Sequence, residues 1–145
     1  MFISIKEWVG VLCGIIGASI STLLGANMNI VMVLISFMVL DYITGIIIAG
    51  VFKKSGKSET GAIDSHASLK GLFRKGGMLF VIYIALQIDV VLGFSYVGLA
   101  TIYFFLANET ISLIENIGLM GVPMPQVLVD AIEVLKKKSE ETEDM

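Results

Sequence analysis

Four stretches of this 145-residue chain are apolar over about the length that a helix needs to cross a lipid bilayer. They run from Trp8 to Ala26, Ile30 to Phe52, Gly77 to Phe94 and Val97 to about Ile114. A hydrocarbon core about 30 Å thick is crossed by about 20 mainly apolar residues in a helix, so the sequence predicts an all-α integral membrane protein with four transmembrane helices. Composition agrees: 56% of the residues are hydrophobic and 16% charged, against about 45–50% and about 25% in soluble domains. That excess is too large for one core in a chain of this size. Asn27 to Asn29 separate the first two runs and Ser95 with Tyr96 the last two, so each pair reads as a tight helical hairpin, in residues 1–52 and 77–118. Residues 77–114 are too many for one span even when tilted. The alternative is three crossings, with the first run flat on the membrane or the last two merged. Glu7 offsets the charge of Lys6 ahead of the first run, and the run exceeds the roughly 7–15 apolar residues of a signal peptide, which favours a retained helix.

An even number of crossings puts all ten basic residues on one side. Lys6 precedes the first run. Lys53, Lys54, Lys57, Lys70, Arg74 and Lys75 lie in a Gly- and Ser-rich loop over residues 53–76, and Lys136, Lys137 and Lys138 follow the fourth run. The positive-inside rule makes that side the cytoplasm and places both termini there. Cations in these positions suit anionic lipid headgroups. Leu69, Leu72 and Phe73, set among Lys70 to Lys75, predict a short surface helix leading into the third run. Beyond Pro123 and Pro125, Leu128, Ala131, Ile132 and Leu135 share a helical face. A turn and an amphipathic helix over residues 119–138 are therefore expected at the cytoplasmic surface. Residues 139–145 read as an acidic, disordered tail.

Helices in lipid associate through small residues that let backbones approach closely. The first run carries two such ridges at four-residue spacing: Gly10, Gly14, Ala18 and Thr22, then Gly17, Ser21 and Gly25. The second run repeats the device beside a carboxylate, with Asp41, Gly45 and Ala49 on one ridge and Thr44 alongside. Asp41 falls near the middle of its run, where facing lipid costs an Asp about 2.5–3.5 kcal/mol. With no basic residue inside the expected spans, Asp41 must be protonated, hydrogen-bonded to Thr44 or a serine, or open to water in an assembly. Asp89 in the third run and Asn108 with Glu109 in the fourth are either interfacial groups or, together with Asp41 and Thr44, parts of an intramembrane polar seam or pore.

Several function classes are disfavoured. A net charge of −3 and a pI near 5.0 do not suit a nucleic-acid binder. Cys13 has no second cysteine to pair with, and His66 stands without partners at ligand spacing, so neither a metal nor another cofactor is expected. An enzyme is not expected either, since the chain shows no Ser-His-Asp set and no phosphate loop.

Three stretches in order, "DYITGIIIAG" from Asp41 to Gly50, "LKGLFRKGGML" from Leu69 to Leu79 and "NETISLIENIGLMGVPMPQVL" from Asn108 to Leu128, resemble the small phage holins, a family that includes clostridial toxin-secretion holins. The resemblance covers most of the chain beyond the first run, although the central loop looks longer than the usual spacer. It implies a protein of the bacterial host's cytoplasmic membrane that homo-oligomerises into holes at a set time. Those holes release a cell-wall hydrolase or a large toxin, with no contact to that cargo required. The alternatives are a non-conducting regulator or scaffold, such as an anti-holin, and a small ion- or proton-coupled transporter. Against the transporter, the two hairpins share no internal similarity of the kind transporter repeats show.

Overall fold

The computed structural model describes residues 4–53 and 64–143. Lys54, Lys57 and most of the central loop lie outside the described residues. The described residues form five α-helices: α1 (Ile5–Leu24), α2 (Met28–Ile47), α3 (Ser65–Leu92), α4 (Val97–Leu119) and α5 (Gln126–Glu143). The first four are each long and apolar enough to cross a membrane. There is no strand among the described residues.

Local chemistry sets the helix ends. Ser4 and Glu7 form a reciprocal capping box at the start of α1: the Glu7 N–H donates to Ser4 Oγ at 3.3 Å and the Ser4 N–H to Glu7 Oε2 at 2.7 Å. Gly25, with φ +49°, breaks α1, and one 3-10 turn over Gly25–Asn27 leads into α2. A π-helical turn over Ile48–Phe52 ends α2, with Lys53 in the left-handed region. Asp64 caps α3 by accepting from the N–H groups of His66 and Ala67. The surface helix expected around Lys70 is therefore continuous with the third span. At 28 residues α3 is about 42 Å long, so its first turns extend past the hydrocarbon.

α4 is the central element and packs against α2, α3 and α5. The apolar core joins Val31, Leu34 and Met38 of α2 to Ile82 and Leu86 of α3 and to Ile102 and Leu106 of α4. Steps of three and four residues put Val31, Leu34, Met38, Asp41 and Ile48 on one stripe of the second span. α1 stands apart. Its residues from Ser4 to Thr22 are exposed, and a Cβ added at Gly10, Gly14 or Gly17 would meet nothing within 4 Å. An apolar cleft of about 540 Å³, lined by Ile20, Leu24, Val31, Ile35 and Phe80 among others, separates the end of α1 from the α2–α3 face.

The C-terminal helix departs from expectation in two ways. It continues through Ser139 to Glu143, where a disordered tail was expected; Lys136–Glu140 and Lys137–Glu141 are opposite charges at helical i,i+4 spacing. Nor is its apolar face left uncovered. A turn that includes Gly121, at φ +85°, reverses the chain, and α5 runs back along α4. Val129, Ile132 and Leu135 are its partly buried residues, whereas Leu128 and Ala131 are exposed.

At the α3–α4 turn Asp89 is buried rather than interfacial. The N–H groups of Val97 and Gly98, at the start of α4, donate to its two carboxylate oxygens at 2.9 and 2.7 Å. Its own carbonyl accepts from Gly93, in the left-handed region, and from Phe94. Gly98 has no room for a side chain: a Cβ would run into Leu86 and sit 3.0 Å from Asp89 Oδ2. Replacing Gly98 by Ala is expected to destabilise the hairpin by about 1–3 kcal/mol through overpacking. Asp89→Ala is expected to cost roughly 0.5–2 kcal/mol through the lost cap. Thermal unfolding of the purified protein in detergent checks both.

Candidate functional site

Away from the α3–α4 turn, α2, α3 and α4 each bring polar side chains to a common point. Lys75 Nζ donates to Asp41 Oδ2 at 2.7 Å and also to Glu109 Oε2. The second oxygen of Asp41, Oδ1, accepts from the Ser112 hydroxyl at 2.7 Å and from Asn116 Nδ2 at 2.9 Å. Asn116 further donates to Thr44 Oγ1 at 3.1 Å, and the Thr44 hydroxyl donates to the Asp41 carbonyl at 3.1 Å. Asp41 and Glu109 are each 4% exposed. Moving a charge out of water costs several kcal/mol per ion, and a shared ammonium with two further donors on Asp41 offsets much of that. No fully buried side-chain polar atom among the described residues lacks a hydrogen-bond partner.

Depth along the helices confirms that the cluster is inside the bundle. At 1.5 Å per residue Asp41 lies about 20 Å from Met28, Glu109 about 18 Å from Val97 and Lys75 about 26 Å from Leu92. The expectation that no basic residue sits inside a span is therefore corrected. Lys75 is not a surface cation: α3 begins well before it, and it stands seven and fourteen residues from the buried Ile82 and Asp89, on the same inward stripe.

Of the polar residues singled out in the sequence, Asp41, Thr44 and Glu109 come together. Asp89 lies at the other end of the hairpin, and Asn108 is exposed on α4. Sequence reasoning missed Lys75, Ser112 and Asn116. A signal existed, since Glu109, Ser112 and Asn116 follow one another by three and four residues and so share one face of α4. Of the small-residue positions, Gly45 and Ala49 pack within the chain: Ala49 is buried, and a Cβ at Gly45 would come 4.0 Å from Asn116 Nδ2. Ala18 and Ser21, like the glycines on α1, are exposed. Lys53, Lys70, Arg74 and Lys136 to Lys138 are exposed as well. Among the described residues no group of three or more His, Cys, Asp or Glu side chains is placed to hold a metal.

What this arrangement does is fasten three helices at one depth. Lys75→Met strands two buried carboxylates and is expected to cost about 3–5 kcal/mol, the usual penalty for breaking a buried pair from one side. The triple variant Asp41→Asn, Lys75→Met, Glu109→Gln removes every charge and is expected to recover more than half of that loss. Unfolding titrations of the three proteins in mixed micelles decide the matter.

Comparison with known proteins bears on the whole of this region. An uncharacterized protein of Listeria monocytogenes is 37% identical over 129 residues, covering 88% of this chain and 86% of its own length. A 14.9 kDa protein of Clostridium perfringens is 36% identical over 107 residues, 72% of this chain and 75% of its own. A probable holin of Bacillus phage phi105 is 31% identical over 104 residues, 71% of each. No solved structure matches. The match to the bacteriophage holin family runs over residues 18–137, from the last turns of α1 to the middle of α5, and takes in every member of the ion-pair cluster; the chain belongs to the bacteriophage holin family.

Proposed function

We propose that this protein acts as a holin in the bacterial cytoplasmic membrane, with both ends of α1–α2 on the cytoplasmic side. Copies of it assemble there into holes that release a cell-wall hydrolase or a toxin and cause timed lysis. Family membership is the observation that carries this reading. The fold supports it, because α1 turns both small-residue ridges away from the rest of its own chain. In lipid such ridges drive helix association, so Gly10, Gly14 and Gly17 are where neighbouring copies pack. In this reading Asp41, Thr44 and Glu109 hold each protomer together and do not line the hole. The exposed Lys53, Lys70 and Arg74 meet anionic headgroups.

Induced expression in a bacterial host, with and without a co-expressed cytoplasmic cell-wall hydrolase, tests the activity. Membrane potential is expected to collapse abruptly at a reproducible time, with lysis only when the hydrolase is present. Cells that keep their potential despite confirmed insertion would favour the non-conducting regulator. Gly14→Ile, which places a bulky side chain on the ridge, is expected to delay the collapse and to remove the higher bands from a chemical cross-linking ladder.

A further inference from the structure

α5 lies where lipid would not tolerate it. Lys138 Nζ sits 5.4 Å from the ring centroid of Tyr103, and Tyr103 is about 24 Å along α4 from Leu119. With 18 residues α5 is about 27 Å long, close to the thickness of a hydrocarbon core of about 30 Å. Its partly buried residues face α4. Asp130, Glu133, Lys136, Lys137, Glu140 and Glu141 are exposed, in succession over about 17 Å of the helix. α4 adds a polar strip of its own: Asn108 and Glu115 are exposed and seven residues apart, hence on one face.

Charged side chains that face lipid at such depths are strongly penalised, and those found inside membranes face protein or a water-filled cavity. Other faces of the same molecule have the opposite character. α1 exposes Val9, Leu12 and Ile16, and α3 exposes Phe80, Ile84 and Val91. We infer that α5, docked on α4, lines the water-filled lumen of the assembled hole, with α1 and the outer face of α3 turned to lipid or to neighbouring copies; this carries the C-terminus toward the outer side, in place of the cytoplasmic position expected from the positive-inside rule. This rests on the hole-forming reading above. A single protomer surrounded by lipid offers α5 no water at that depth, so docking of α5 and assembly of the hole are coupled. The charges fall in blocks along the exposed face, first Asp130 and Glu133, then Lys136 and Lys137, then Glu140 and Glu141, which gives a hydrated wall carrying both signs.

The test uses the full chain carrying Cys13→Ser, reconstituted in phosphatidylethanolamine–phosphatidylglycerol vesicles loaded with a trapped dye. Nitroxide labels are placed one at a time at Lys137→Cys, Glu133→Cys and, on the apolar side of α3, Val90→Cys. A doubly labelled protein, Phe104→Cys with Lys137→Cys, reports the α4–α5 separation. In vesicles that leak dye, the two α5 labels are expected to be several-fold more accessible to a water-soluble nickel chelate than the Val90 label, with the α4–α5 pair close. If in leaking vesicles the α5 labels resemble Val90 in favouring oxygen over the chelate, the lumen assignment is overturned. It is equally overturned if the pair separates by the length of an undocked helix, and in both cases hole formation stands. Vesicles that hold their dye despite confirmed incorporation sink the hole-forming reading, and this inference with it.

Discussion

Lys75 shares one ammonium group between Asp41 on α2 and Glu109 on α4, and without it two carboxylates would be left unpaired inside the bundle. The rest of the packing follows from that constraint. An ion pair at this depth fixes how far α3 slides along α2 and α4, because a shift of one turn, about 5.4 Å, would break both Lys75 contacts. Hydrophobic side chains give no such register in a bilayer, where lipid tails are as apolar as leucine. Asp89 fixes the opposite end of the α3–α4 hairpin by joining α3 to the first turn of α4. Between these two polar fixings lies an apolar core that can pack by shape alone.

The molecule that results has sides of very different chemistry. α2, α3 and α4 form the fastened unit, α1 carries small residues with no partner among the described residues, and α5 carries charges along a helix docked on α4. In the proposed hole, apolar surfaces would meet lipid, small-residue ridges would meet another helix, and the charged face of α5 would meet water.

Much of the fold is legible in the sequence. Four apolar runs, Asn27 to Asn29 between the first two, Ser95 and Tyr96 between the last two, and the prolines ahead of α5 mark the turns between the helices to within a few residues. Departures occur where local pattern and tertiary contact compete. The apolar run of the third helix begins at Gly77, beyond a stretch of cations; with a carboxylate on each of two neighbouring helices to receive it, Lys75 is nonetheless inside the bundle. α5 was read as a surface helix from its amphipathic spacing, which establishes that one face is covered and leaves open what covers it.

By itself the sequence determined that four apolar helices and a C-terminal helix form and roughly where the turns between them fall, because these depend on residues within a few positions of one another. The tertiary structure alone decided which polar groups meet. Asp41 and Lys75 are 34 positions apart, as are Lys75 and Glu109. Their pairing depends on the relative depth and rotation of three helices, and no local periodicity encodes those quantities. The same holds for α5, whose charges are equally suited to a membrane surface or a water-filled lumen and whose contact with α4 no local pattern encodes.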